Sequence, residues 1–587
     1  MNLLKEKKQL ASAGILLFLV LAVYYPVVNA RLVNMDDVEM LMHLNNNDGD
    51  ISLNHLFFPE GVNRYYRPFH LLSFYLDYKV WQQEDSGYHL TNYLLHACNA
   101  LLFFSILLEL CRRLCIKYSF VVPCALIFAL HPLTCESVAW VSGRTDIIAS
   151  FFCFIALRLY LTDLYIKYLF FPVLLLLGLL AKESALILVP LILMIDVAFL
   201  WYKKMSGRQI LQSACIWGLV MIPGLLFYLR MRMGGLDSLD QGVQTALTNK
   251  VAMEGGLWFQ NLEVWLFHFF ASTGFYIKKL FFPFPLNFAI YQISSLSYFI
   301  FSLLLIILAG LFIYKKKYLF PFWYILVVMS FLPALFVATA KIAWTAYAER
   351  YLYFSCAVFS AGIFYIFSLL AENFKIIRFK ILIFLWLVIV IFGISTLRRT
   401  FVWENDMTLW ESTIRESPYY GKAMFKYGEA LQANGKKEEG LRMFYNIVET
   451  ARDDEWKSYA LVKLGREANS RQRYDEALNF FQKSLLLHEN KYIHEAIAQL
   501  YFNLPCKSVD EKKKNHEKTI FHYQQVYKYT GDPFYLYLMA KMKLSHNEID
   551  AKNLFSEITQ KYPGSHLADL SHKILRSLQL QDASQVH

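Results

Sequence analysis

Up to about Leu397 the sequence is a train of apolar runs, each of roughly twenty residues, the length a helix needs to cross the hydrocarbon of a bilayer. After Arg398 it turns polar, charged and helix-forming. A helix satisfies its own backbone in lipid, so this pattern restricts the fold to an all-α class: a polytopic membrane helical bundle followed by a soluble α-helical domain. The runs predict crossings at 10–28, 88–109, 118–132, 143–162, 166–181, 184–201, 211–229, 297–314, 318–339, 350–371 and 380–397. The expected domains are 1–398, with an outer loop at 29–87, and 399–587. Of the 587 residues, 56% are hydrophobic and 17% aromatic, more than a soluble protein of this size needs.

The net charge of +11 does not form a nucleic-acid face, because the basic residues concentrate in short loops between runs and set orientation. Arg112/Arg113/Lys117, Arg158/Lys167, Lys203/Lys204/Arg208, Lys315–Lys317 and Lys375/Arg378/Lys380 mark the cytoplasmic side. The loop 29–87 is acid-rich and is expected outside. Lys5, Lys7 and Lys8 precede a long run with no small-residue cleavage site, which reads as a retained first helix. Residues 257–282 break the alternation and carry Gln260, Asn261, Glu263, His268 and Thr273, so a re-entrant or interfacial helix is expected there, with a true crossing as the alternative. The nine cysteines show no metal-ligand spacing, and a disulfide framework is not expected.

On this topology Asp36, Asp37, Arg67, Glu136, Arg144, Asp146, Lys182, Glu183, Glu349 and Arg350 all fall at the outer edge, together with the tail. Charges gathered on one face of a bilayer suit a lipid-linked substrate, whose reactive phosphate sits at the membrane surface. Asp36-Asp37, close after the first run, can supply a general base whose pKa partial desolvation raises; solvated loop acids are the alternative. Tyr65-Tyr66-Arg67-Pro68-Phe69-His70 leads into an aromatic stretch to Trp81 that fits interfacial helices, with Arg67 either snorkelling or gripping a phosphate oxygen. His89, Asn92, His96 and Asn99 share one helix face. His96 and Asn99 suit inter-helix hydrogen bonds, and His89, nearer the surface, suits a site. If the stretch after Pro132 is helical, Glu136, Trp140 and Arg144 share a face able to bind a sugar phosphate, or Glu136 and Arg144 merely pair. Lys182-Glu183 and Glu349-Arg350 are ion pairs or phosphate groups, with Arg350, beside Tyr351 and Tyr353, the better phosphate candidate.

The order DD, YYRPF, GYHLTNYLLHACNALL, HPLTCESVAWVSGRTD, AKES and AERYLY resembles the transmembrane and tetratricopeptide-repeat O-mannosyltransferases and their bacterial relatives, of the GT-C membrane glycosyltransferase fold. The similarity runs through most of 25–365 and is weakest over 230–300. The resemblance implies a polyprenyl-phosphate-linked sugar as donor, with the family's acidic pair at Asp36 and Asp37 and its second acidic position at Glu136, Asp146 being the rival. It implies Asp36 as base, Asp37 as its support or a metal ligand, and Glu136 as orienting group or metal ligand. No cofactor is certain, and a divalent metal is the open option. Arg67, His89, Arg144, Asp146, Lys182 and Arg350 are the donor phosphate and sugar candidates. The expected setting is a bacterial inner membrane with a periplasmic site, or an endoplasmic-reticulum membrane with a lumenal one.

In the tail, Gly428, Gly440 and Phe444 recur as Gly465, Ala477 and Phe481, an offset of 37, and Ala551, Phe555 and Pro563 fit a later unit of tetratricopeptide type. The stretch 490–530 reads as irregular, with an insertion at Lys512–Lys514, and Trp403 and Trp410 are expected to dock the tail. Such repeats hold extended peptides, here a protein acceptor, or simply space the enzyme. The alternatives to protein Ser/Thr as acceptor are a glycan or lipid acceptor, or a non-catalytic scaffold.

Overall fold

The computed structural model describes residues 2–46, 66–114, 116, 118–162, 167–202, 206–237, 262–340, 343–371, 375–544 and 548–585. Regular structure among them is helical, apart from an isolated antiparallel bridge between Ile290 and Tyr347. The chain divides into two compact units, Met1–Ser417 and Pro418–His587, so the stretch 399–417 packs with the first.

The first unit runs through α1 (Asn2–Tyr24), α2 (Asp36–Asn46), α3 (Pro68–Trp81), α4 (Asp85–Leu114), α5 (Val121–Ala129), α6 (Cys135–Ala139), α7 (Arg144–Tyr160), α8 (Lys167–Ala181), α9 (Leu188–Tyr202) and α10 (Gly207–Asp237). It continues with α11 (Leu262–Phe281), α12 (Ser295–Tyr314), α13 (Leu319–Ser330), α14 (Leu332–Ala340), α15 (Tyr353–Leu370), α16 (Lys375–Val402) and α17 (Asp406–Glu416). Among the described residues, five stretches are long and apolar enough to cross a bilayer: Glu6–Asn29, Asp85–Leu114, Ser295–Tyr314, Glu349–Leu370 and Ile376–Val402. Two bent pairs, α5 with Pro132–Ala139 and α13 with α14, raise the number to seven if each is one span. The protein is therefore an integral multi-pass membrane protein, with fewer full-length crossings among the described residues than the sequence suggests. The other expected crossings fall on α7, of 17 residues, on α8 and α9, of 15 each, and on the apolar stretch Cys215–Arg230 of α10, all shorter than about twenty residues. Residues 257–261 lie outside the described residues. Leu262–Phe281 is one 20-residue helix with Glu263 in its first turn and Lys278 and Lys279 in its last, and it is not among the stretches apolar enough to cross.

The break after α5 has a local cause. Pro132 brings no N–H, and the His131 side chain accepts from Leu133 N, capping the short Pro132–Thr134 turn. The chain bends by 43° there. The run Glu136 to Arg144 is therefore not one helix: α6 stops at Ala139, Trp140 is extended, and Val141–Gly143 is a separate turn. Leu32, Leu44, Phe74, Tyr88 and Val141 form an apolar core that fastens α2, α3 and α4 to this turn.

The second unit comprises, among the described residues, α18 (Gly421–Ala433), α19 (Lys437–Thr450), α20 (Asp454–Ser470), α21 (Tyr474–Leu487), α22 (Lys491–Asn503), α23 (Val509–Thr530), α24 (Pro533–Lys543), α25 (Glu548–Lys561) and α26 (His566–Gln585), consecutive helices packing on one another. This run of paired helices is consistent with repeats. A Cβ on Gly428 would lie 2.8 Å from the Phe444 ring, and one on Gly465 would lie 2.4 Å from Phe481, so the recurring glycine and phenylalanine are the contact inside each pair. The stretch 490–530, expected to be irregular, is a further pair. Ser508 caps α23 by accepting from Glu511 N, and Lys512–Lys514 lengthen that helix to 22 residues. A lysine run without apolar periodicity still propagates a helix well. Trp403 and Trp410 lie buried in the first unit, both packed on Phe288.

Candidate functional site

Between α1 and α2 the chain makes a short turn, Tyr25–Asn29, and re-enters at the acidic first turn of α2, where Asp36, Asp37 and Glu39 suit the positive end of the helix dipole. Asp37 is fully buried. Its Oδ1 accepts from Ser142 N at 2.8 Å and from the Ser142 hydroxyl, and its Oδ2 from Val33 N at 3.3 Å. Burial pushes its carboxyl up to about 7 despite those donors, with a small further push from Asp36. Asp36 itself is exposed. The pair therefore has two environments, an anchored carboxyl and an accessible one.

Arg144 is fully buried but is not free to meet a ligand. Its Nη1 pairs with Asp77 at 2.6 Å, its Nε donates to Asn92 Oδ1 at 2.8 Å, and its Nη2 donates to the Tyr88 carbonyl at 2.8 Å. The guanidinium lies 4.9 Å from the Phe74 ring centre. Neither sequence expectation for Arg144 with Glu136 holds, because the turn at Val141–Gly143 sends the two side chains to different partners. His96 and Asn99 make inter-helix hydrogen bonds, His96 Nδ1 with Tyr353 Oη at 2.7 Å and Asn99 to the Ile147 carbonyl at 3.0 Å, and Asn92 on the same face donates to the Val138 and Trp140 carbonyls. His89 is fully buried on the same helix.

The other charged candidates interlock across helix breaks. Arg67 grips Glu183 with both Nε and Nη2, at 3.0 and 2.7 Å. Lys182 pairs with Asp146 at 2.6 Å, Arg350 with Glu136 at 2.5 Å, and Lys279 with Glu349 at 2.8 Å. The adjacent pairs Lys182-Glu183 and Glu349-Arg350 thus each reach outward to other elements instead of to one another. Glu136 also accepts from the backbone N–H groups of Glu349 and Arg350, at 3.1 and 3.2 Å. Arg350 stacks 5.0 Å over Trp140 and 4.9 Å over Tyr351. Lys182 lies within electrostatic reach of Arg67 and Arg350, and burial lowers its pKa against the pull of Asp146. Half-buried His70, beside Arg67, Arg144 and Lys182, is pushed down to about 3 by desolvation and those cations, and stays neutral. Three cations, Arg67, Lys182 and Arg350, therefore converge around Tyr351. Asp37 joins them through Ser142 and its near neighbour Trp140.

Asp77, Ser142, Lys279 and the partner exchange itself were not singled out in the sequence. Asp77 stood among many loop acids, and only the backbone breaks bring Ser142 and Lys279 in. The donor set does not fit a metal at Asp37 or Glu136: all four carboxylate oxygens are taken by N–H, hydroxyl or guanidinium donors. Among the described residues no three His, Cys, Asp or Glu side chains group to hold one.

The architecture defines a class: a multi-pass membrane helical protein with a charge-paired polar centre, carrying a helix-pair repeat unit. Within that class the chain is homologous to proteins named protein O-mannosyl-transferases. It is 25% identical over 395 residues to protein O-mannosyl-transferase F38B6.6 of Caenorhabditis elegans, covering 65% of this chain and 53% of that protein. It is 36% identical over 93 residues to protein O-mannosyl-transferase TMTC3 of Mus musculus, which covers 16% of this chain and 10% of that protein. Over 117 residues it is 32% identical to protein O-mannosyl-transferase tmtc2 of Xenopus laevis, 18% of this chain and 14% of that protein. The chain thus spans about half the length of the worm relative and a small part of the others. No protein-family model matches it.

Proposed function

We propose that the protein is a membrane glycosyltransferase that moves a sugar from a polyprenyl phosphate to a protein Ser or Thr hydroxyl on the non-cytoplasmic face. The observation that carries this reading is the convergence of Arg67, Lys182 and Arg350 on one end of the bundle, close to the anchored Asp36-Asp37 pair. The acceptor oxygen attacks the anomeric carbon, its proton passes to the exposed Asp36 carboxylate, and the carbon–oxygen bond to the phosphate breaks. The leaving polyprenyl phosphate keeps that electron pair, and the three cations, still held by their acid partners, stabilise its charge. A phosphate leaves without a strong general acid, and direct displacement inverts the anomeric centre. Asp37, whose oxygens are all engaged, positions Asp36 by fixing α2 to Ser142. Arg144 holds α3, α4 and α7 together. Glu136 orients Arg350.

The similarity to proteins named O-mannosyl-transferases supports mannose as the first sugar to test. In purified protein in nanodiscs, with polyprenyl-phosphate mannose and a Ser/Thr peptide, Asp36→Asn is expected to lower turnover at least about 100-fold. Its melting temperature should stay unchanged. Full turnover in that variant removes Asp36 as the base, and absence of transfer by the native protein with any peptide removes the protein-acceptor reading.

A further inference from the structure

We propose that Arg399, beside the Glu136–Arg350 pair, is the binding group of an anion site that takes a phosphate. Arg399 lies in the last turn of α16, 4% exposed, and within electrostatic reach of Cys135 and Glu136. Its Nη1 donates to Ser412 Oγ at 3.5 Å, while Nε and Nη2 have no acceptor among the described residues.

Those two nitrogens form one edge of the guanidinium. In Arg67 the same edge holds both oxygens of Glu183. Arg399 therefore presents, free, the two-donor fork that this protein elsewhere closes with a carboxylate. The two acids of the adjoining cluster are already engaged. Glu136 is committed to Arg350 and two backbone amides, and Glu349 to Lys279 and Asn287 N. Two cations and two acids cancel in this cluster, and Arg399 leaves one positive charge over. A buried charge with no partner is strongly unfavourable, which is the condition under which an anion binds.

The surrounding donors specify the anion further. Trp403, one helical turn beyond Arg399, and Trp140, at the end of the segment that carries Cys135 and Glu136, both bury an indole N–H with no acceptor. Both rings pack edge-on against Phe288, at 5.0 and 5.6 Å between centroids. A carboxylate has only the two oxygens that the arginine edge takes. A phosphate brings further oxygens for a neighbouring indole N–H.

The site does not depend on glycosyl transfer. Two sources carry the same chemistry, the headgroup of a polyprenyl phosphate and free inorganic phosphate, and thermal melting of the full-length protein in nanodiscs separates them. Wild type, Arg399→Gln and Arg399→Lys are each titrated with inorganic phosphate and, in parallel, reconstituted with polyprenyl phosphate. Wild type is expected to melt higher with at least one probe. Arg399→Gln should need at least tenfold more of it and, without phosphate, should melt no lower than wild type, because the unpaired charge is gone. Arg399→Lys, which keeps the charge and loses the fork, should fall between. A shift with polyprenyl phosphate alone assigns a lipid-linked headgroup, and a shift with inorganic phosphate assigns the free anion. The proposal is overturned if neither probe shifts wild type, if Arg399→Gln shifts equally, or if Arg399→Gln melts lower and Arg399→Lys restores it with no phosphate present. Transfer activity can fail without touching any of these outcomes.

Discussion

The carboxyl of Asp37 holds its proton to about 7 because it is dry, although three donors point at it. In the unfolded chain the same group titrates near its ordinary 3.8. Between those values the folded protein binds the extra proton, so stability falls as pH rises; the contribution is whole below the lower value and gone above the upper one. Asp37→Asn should remove this component, leaving a melting temperature that is flatter than wild type's between pH of about 4 and about 7. An unchanged slope in the variant would mean the carboxyl is already ionised in the fold. At this scale the sequence was informative about which charged residues matter to the packing of the helix breaks and silent about who pairs with whom. Arg144 shows why. Its partner depends on a turn at Val141–Gly143 that aims it at Asp77, and pattern alone reads through that turn as continuous helix.

At the scale of elements, run length and periodicity made the helices legible, while their breaks were only partly so. Pro132 announces one break, but the short turns at Glu183–Ile187 and Glu349–Leu352, which carry three of the paired charges with Lys182 just before the first, have no comparable marker. In the repeats the legible signal was the recurrence of glycine and phenylalanine, and its physical content is closeness. A methyl group at Gly465 would sit 2.4 Å from Phe481, so Gly465→Ala should destabilise the protein by about 1–3 kcal/mol in denaturant unfolding. Gly310→Ala, in α12 with nothing within 4 Å, serves as the matched control and should not destabilise. Equal behaviour of the two variants would show that the repeat tolerates a wider helix separation. The lengthened α23 was missed because a polar lysine run looks like an insertion whether it loops or coils.

For the whole molecule, α4 serves as a ruler. Its 30 residues extend about 45 Å, with Tyr88 and Asn92 meeting Arg144 at one end and Glu109 gathering Arg112, Arg113 and Arg158 at the other. The candidate site and the expected cytoplasmic basic cluster are thus separated by a membrane's thickness. The exposed Cys506 of the repeat unit offers a test of orientation. An impermeant maleimide should label it in right-side-out vesicles, and labelling only after lysis would place the repeats in the cytoplasm. The two units also differ in how their charges meet water. In the repeats, Arg471 reaches Glu438 and Glu467 on an open surface, whereas Arg144 and Asp77 are almost wholly enclosed. Dissolved ions screen the first kind within about 8 Å at physiological strength and hardly touch the second. A brine that slackens the tail should therefore leave the enclosed Arg144–Asp77 pair of the membrane unit intact.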